Sequence, residues 1–207
     1  MNEYPKIETL FDRDLKTFKV IEGKWRLPEF EYLRNNIWLF TEKIDGTNIR
    51  VMWNGHNLTF GGKTDNAQIP AFLLTKLQEQ FTVEKFRGIW LEEPMEVCLY
   101  GEGFGARIQK GGGNYNPKGV EFALFDVKIG EWWLEQDNII DIADKMGISL
   151  VPKVGEGTLS DAVKLVKDGY KSSFGDFLAE GIVVRPIVSL FTRSNHRIIG
   201  KIKFKDF

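Results

Sequence analysis

Short apolar runs alternate with turns rich in Gly and Asn along most of the chain. Residues 38–43 and 48–53 read as strands, Asn54-Gly55 is the strongest short hairpin signal, and residues 58–60 form the returning strand. Residues 69–81 place Leu73, Leu77 and Phe81 four apart, the spacing of a helix that buries one side. Strands are expected at 95–100 and 120–127, the second turning at Gly130 into Trp132-Trp133-Leu134. Two helices follow. One covers 138–146 and stops before Gly147; the other covers 161–167, with Ser160 as its N-cap and Gly169 past its end. Strands at 181–185 and 197–204 close the chain. Helices and strands are interspersed without a regular βαβ rhythm, which predicts mixed or antiparallel sheets flanked by helices, an α+β fold, in one domain over 1–207.

Composition narrows the class. With 207 residues, 43% of them apolar, the chain can bury a substantial core and is not disordered. Cys98 is the single cysteine and lies in an apolar run, so it reads as a buried hydrophobe in a reducing, cytoplasmic setting. The first residues alternate charged and apolar types and do not form a signal peptide, and no segment approaches the roughly eighteen apolar residues of a membrane span. His56 and His196 lie far apart, so no zinc site is visible. Net charge is −1, yet residues 185–205 hold three Arg, three Lys and no acid, a local excess suited to phosphates.

The segment FGGKTDN, residues 60–66, imitates the end of a phosphate-binding loop. The full pattern needs a glycine at position 57, which is Asn57, and a helix opening at the Lys-Thr pair, which Asp65, Asn66 and Pro70 delay. The P-loop reading is therefore rejected.

The chemistry concentrates elsewhere. In TEKIDGTNIRV, residues 41–51, a lysine stands at a strand end and Gly46 lets the backbone turn close to a ligand. Such a lysine attacks phosphorus only when burial or neighbouring cations keep it partly neutral. Downstream come Glu102 among glycines in YGEGFG, the strand aromatic Phe125 in FALFDV, Glu180 before the strand GIVVRP, and KIKFK, whose lysines 201, 203 and 205 would share one face of a strand.

In this order, over residues 42–205, these motifs resemble the covalent nucleotidyltransferases: ATP-dependent RNA and DNA ligases and mRNA capping guanylyltransferases. EKIDGTN and IQKGGGNY are most similar to the RNA ligase 2 type. The resemblance implies a ligase adenylation domain with its nucleotide site in a groove between the sheets. Lys43 would form a lysyl-AMP adduct from ATP. Glu42 would help recognise adenine, with Phe125 and Val183 on its two sides. Asn48 and Lys63 would lie near ribose and phosphates, Glu102 would hold ribose hydroxyls, and Lys203 and Lys205 would contact the α-phosphate, with Lys201 as the register alternative. Glu180 would hold Mg²⁺, or Mn²⁺, through water. AMP would pass to a 5′-phosphate and a 3′-OH would displace it, sealing RNA ends, including those of a nicked duplex. A DNA ligase, a capping guanylyltransferase and a non-catalytic nucleic-acid-binding relative remain as alternatives. Two departures stand out: the position of Lys63 is more often arginine, and the chain stops at Phe207 without a C-terminal accessory domain.

Overall fold

The structure, a computed structural model, describes residues 3–90 and 95–207. In chain order these form β1 (Glu8–Thr9), β2 (Phe11–Arg13), β3 (Val20–Trp25), α1 (Pro28–Tyr32), β4 (Trp38–Glu42), β5 (Thr47–Trp53), β6 (Leu58–Gly61), α2 (Ala71–Gln80), α3 (Val83–Ile89) and β7 (Val97–Gly105). Then come α4 (Gly112–Tyr115), β8 (Val120–Ile129), β9 (Trp132–Trp133), α5 (Gln136–Met146), β10 (Ser149–Leu150), β11 (Lys153–Gly157), α6 (Leu159–Asp168), β12 (Gly181–Pro186), β13 (Gly200–Lys203) and a 3₁₀ turn at Phe204–Asp206. They pack as two compact units. One comprises residues 3–5 and Asp45–Val151, the other Lys6–Ile44 and Pro152–Phe207.

The first unit is a six-stranded sheet ordered β10-β8-β7-β5-β6, with β9 paired to β8. All its pairings are antiparallel except β10 with β8. Alternation buries Ile49, Val51 and Trp53 of β5 on one face, where Leu73 and Leu77 of α2, Phe86 of α3 and Ile139 of α5 complete the core. The expected one-sided helix is thus real and begins at Ala71, after Pro70. Gly147 ends α5 in the left-handed region, at φ 64°.

The second unit is a five-stranded mixed sheet ordered β1-β13-β12-β4-β11, with the separate hairpin β2–β3. Only β1 with β13 is parallel. Ile182 and Val184 of β12, Ile202 of β13 and Phe40 of β4 pack against Leu159, Ala162 and Val166 of α6.

Three expectations change. The N-cap of α6 is Thr158 rather than Ser160: its side chain accepts from the Asp161 N–H while Asp161 reaches back to the Thr158 N–H, so the box starts the helix two residues earlier. β7 runs on through Gly105, because its glycines can continue the ladder with β8. The last strand covers Gly200–Lys203 only, and Asp206 Oδ2 accepts from the Lys203 N–H to close the 3₁₀ turn. Among the described residues, no helix is long and apolar enough to cross a membrane.

Candidate active site

Lys43 follows directly on β4, where its N–H donates to Gly181 O at 2.9 Å and so pins the strand end to β12. Its Nζ donates to Glu180 Oε2 at 2.7 Å, and Glu180 Oε1 pairs with Lys203 Nζ at 2.5 Å. One carboxylate therefore bridges two ammonium groups. Burial alone would raise the Glu180 carboxyl, but the charges and hydrogen bonds of Lys43 and Lys203 outweigh it and leave its pKa below the ordinary glutamate value. Sheet registry brings these residues together: Gly181 lies opposite Lys203 and Ile182 opposite Glu42, so residues distant in sequence meet at one end of β4, β12 and β13.

The alternation of β13 explains which lysines can share this face. Lys201 and Lys203 are two apart on the strand and both line the same groove. Lys205 lies in the 3₁₀ turn and is exposed, so the expectation of three lysines on one strand face holds for two. Val183 is half-buried opposite both Thr41 and Lys201. Glu42, by contrast, is paired with Ile182 and is 2% exposed, on the buried side of the sheet. Its carboxylate accepts from Ser172 Oγ at 2.5 Å and from the Ser173 N–H at 2.8 Å. Glu42 and Val183 therefore face opposite sides of the sheet.

The remaining predicted residues belong to the six-stranded unit. Asn48 of β5 lies opposite Glu102 of β7, which lies opposite Ala123 of β8. Asn48 Oδ1 is buried and has no hydrogen-bond partner among the described residues. Gly46 passes so close to Glu102 that a Cβ there would stand 2.4 Å from Gly103 O and 2.8 Å from Glu102 Cγ. The turn after Lys43 is further clamped by residues of the predicted IQKGGGNY segment: Tyr115 Oη accepts from the Asp45 N–H at 3.1 Å and Gln109 Nε2 donates to Gly46 O at 3.1 Å. Arg107 and Gln109 hold φ values of 68° and 56°, a strained conformation for residues other than glycine.

Phe125 is the extra residue at a bulge: Tyr100 pairs with Asp126 and Gly101 with Leu124, so Phe125 is bypassed by the ladder. Its half-buried ring meets Tyr4 edge-on, with centroids 5.0 Å apart, while the Tyr4 hydroxyl donates to Asp126 Oδ2 at 2.6 Å. Trp133 packs on Tyr4 and Tyr100 as a sheet cover, whereas Trp132 is exposed. Lys63 is exposed just beyond β6.

Arg50 was not singled out from the sequence. It is 1% exposed, donates from Nε to Gly62 O at 2.8 Å and from Nη2 to Asp65 Oδ1 at 2.7 Å, and so anchors the turn that carries Lys63. The available signal was an arginine two places after Asn48 on a strand, hence on the same face. Cys98 is buried and its thiol is pushed up to about 11 by that burial, as a structural cysteine should be.

Comparison with known proteins follows the same outline. A search of curated proteins finds no match. Among solved structures, the chain is similar to a mutant RNA ligase of Naegleria gruberi with ATP and Mn, at TM-score 0.69 and 16% identity over 98% of this chain and 58% of that one. A second mutant of that ligase, with AMP and Mn, gives TM-score 0.69 and 16% identity over the same shares. The ligase with PPi gives 0.68 and 17%, over 98% of this chain and 62% of that one. The chain thus spans about three-fifths of the length of these structures, and at such identity the likeness is one of fold. The model of the RNA ligase family matches residues 36–203, a stretch that begins just before β4, takes in Lys43, Asn48, Glu102, Phe125 and Glu180, and ends on Lys203. The chain belongs to the RNA ligase family.

Proposed function

We propose that this chain is the adenylyltransferase part of an ATP-dependent RNA ligase, its two units together making one such domain. The observation that carries the reading is the Lys43–Glu180–Lys203 bridge within the family match. In the first step Lys43 Nζ attacks the α-phosphorus of ATP: the N–P bond forms, the bond to the β-phosphate oxygen breaks, and pyrophosphate leaves with the electron pair. Lys43 must give up a proton and its contact with Glu180 must open before its lone pair can face phosphorus. Lys203 remains beside the developing phosphate charge, a fixed cation of the kind such a transition state needs. AMP then passes to an RNA 5′-phosphate, and a 3′-OH displaces it to seal the ends.

ATP as co-substrate is supported by the ATP and AMP in the similar structures, which also contain Mn. Among the described residues no three His, Cys, Asp or Glu side chains gather. The donors present therefore fit a hydrated Mg²⁺ or Mn²⁺ held by Glu180 through water, rather than an ion enclosed by protein ligands. When bound, such an ion neutralises phosphate oxygens. Asn48, with its unmatched Oδ1, Glu102 and Phe125 are the proposed nucleotide contacts of the six-stranded unit, and Val183 that of the other. Lys63 and Lys205, both exposed, are assigned to phosphates, and Glu42 acts through the Ser172–Ser173 segment it anchors.

Incubation with α-labelled ATP, GTP or NAD and Mg²⁺ tests this reading. Label from ATP that vanishes in Lys43→Ala is expected, together with sealing of 3′-OH/5′-phosphate breaks in a panel of nicked and single-stranded RNA. Label from GTP alone would replace the ligase with a capping-type enzyme, and no label from any nucleotide would leave a binding module.

A further inference from the structure

A groove of about 560 Å³ opens in the five-stranded unit, beside the bridge just described. Its wall carries Lys6, Arg13, Lys24, Arg26, Lys201 and Lys203 against only two acids, Glu8 and Asp12. Each acid serves two cations. Glu8 meets Lys6 at 2.7 Å and Arg26 at 3.5 Å, while Asp12 meets Lys24 at 3.1 Å and Arg26 at 3.0 Å. The acids thus order the cations without neutralising them, even though the whole chain has a net charge of −1. Arg13 meets the buried Asp206 and Lys203 meets Glu180, and cations still outnumber acids when both are counted. The positive charge comes from β2, β3, β13 and the segment before β1, so it is spread along a wall rather than focused on one point.

At one end the groove shares Lys203 with the Lys43–Glu180 pair. Leu15, 90% exposed, lines it within the β2–β3 turn, and Phe18 in the same turn is 70% exposed. Phe18 is held at φ 59°, with Arg13 Nη1 donating to its carbonyl at 2.7 Å. The backbone that carries this exposed ring is thus tied to one of the groove's cations, and an aromatic ring near ordered cations is the pairing that single-stranded nucleic acid uses, bases on rings and phosphates on cations.

We infer that this groove is the docking surface for the RNA strand, its backbone phosphates running over Lys6 and Lys24 toward Lys203 and a base stacked on Phe18. The inference rests on the ligase reading and says where on this chain the substrate lies. Its test is fluorescence anisotropy of a 5′-phosphorylated oligoribonucleotide with a blocked 3′ end, titrated against the full chain from 50 to 200 mM salt. The Lys6→Gln/Lys24→Gln double variant should weaken binding roughly tenfold or more at low salt and lower the slope of log K against log salt by about one to two. Phe18→Ala should weaken binding by roughly 5- to 100-fold with the slope unchanged. Self-labelling with ATP should persist in all of them, since none of these side chains touches Lys43 or Glu180, and the charge-preserving Lys6→Arg/Lys24→Arg double variant should bind like the wild type. Unchanged affinity and slope in the double Gln variant overturn the groove whether or not ATP labels the protein. So does a raised ATP KM with RNA binding intact, which would give the groove to the nucleotide's polyphosphate. The expected RNA pattern in a chain that ATP fails to label would uphold the groove and sink the ligase reading alone.

Discussion

Glu180 Oε2 lies 2.7 Å from Lys43 Nζ, a contact that joins residues 137 positions apart and places the candidate nucleophile on a carboxylate that Lys203 also holds. Because its pKa is depressed, the stability this carboxylate contributes is fully present above the unfolded glutamate value and is lost as pH falls through the lower folded value. The wild type should therefore be more heat-stable than Glu180→Gln at pH 7, and the gap should close as pH falls below the ordinary 4.5. A gap that stays constant from pH 7 to pH 3 would show that ionisation of Glu180 is not its source. Adenylylation by the variant should fall by roughly two to three decades.

Gly46→Ala forces a methyl against Gly103 O and Glu102 Cγ. Overpacking of this kind costs about 1 to 3 kcal/mol. Thermal unfolding should show a lowered Tm, and self-labelling should weaken because the turn that follows Lys43 is displaced. A variant with native Tm and native labelling would mean that the turn at Gly46 has room for a methyl group and does not govern the reactivity of Lys43.

Arg50→Met removes two hydrogen bonds from a buried guanidinium and orphans Gly62 O. A loss of about 1.5 to 3 kcal/mol in urea unfolding is expected, accompanied by weaker ATP use as the turn carrying Lys63 loosens. Lys63→Arg should preserve or improve adenylylation. If Lys63→Ala leaves both labelling and sealing untouched, Lys63 is a solvated lysine and the effect of Arg50 is purely structural.

Phe125→Ala should raise the KM for ATP while the protein stays folded, because the ring sits at a bulge outside the ladder and outside the core. Circular dichroism and KM measured together decide this. An unfolded variant would place Phe125 among the structural aromatics around Tyr4 instead.

Much of the fold was legible because its signals are local. The spacing of Leu73 and Leu77 gave α2, Asn54-Gly55 gave the β5–β6 hairpin, and Gly147 marked the end of α5. The β2–β3 hairpin was missed, since β3 reads VIEGKW and buries little, so it lacks the alternation that betrays a strand. α3 and β11 are short and their pattern is equally weak. Among the candidate site residues, the motif order singled out Lys43, Glu180 and Lys203, whose side chains meet in two ion pairs. Arg50 was passed over because one arginine in a strand carries no sign that it will be buried.

By itself, the sequence determined the elements with strong local periodicity, the α+β class and the family, since periodicity, turn residues and motif order are properties of neighbouring positions. Only the tertiary structure decided that Glu42 and Val183 take opposite sides of one sheet, that Lys205 leaves the strand face of Lys201 and Lys203, and that cations from β2, β3, β13 and the segment before β1 line one groove. Each of these depends on strand register, where a strand ends and which distant strands pair. Those are set by how the core packs, not by the residues on either side.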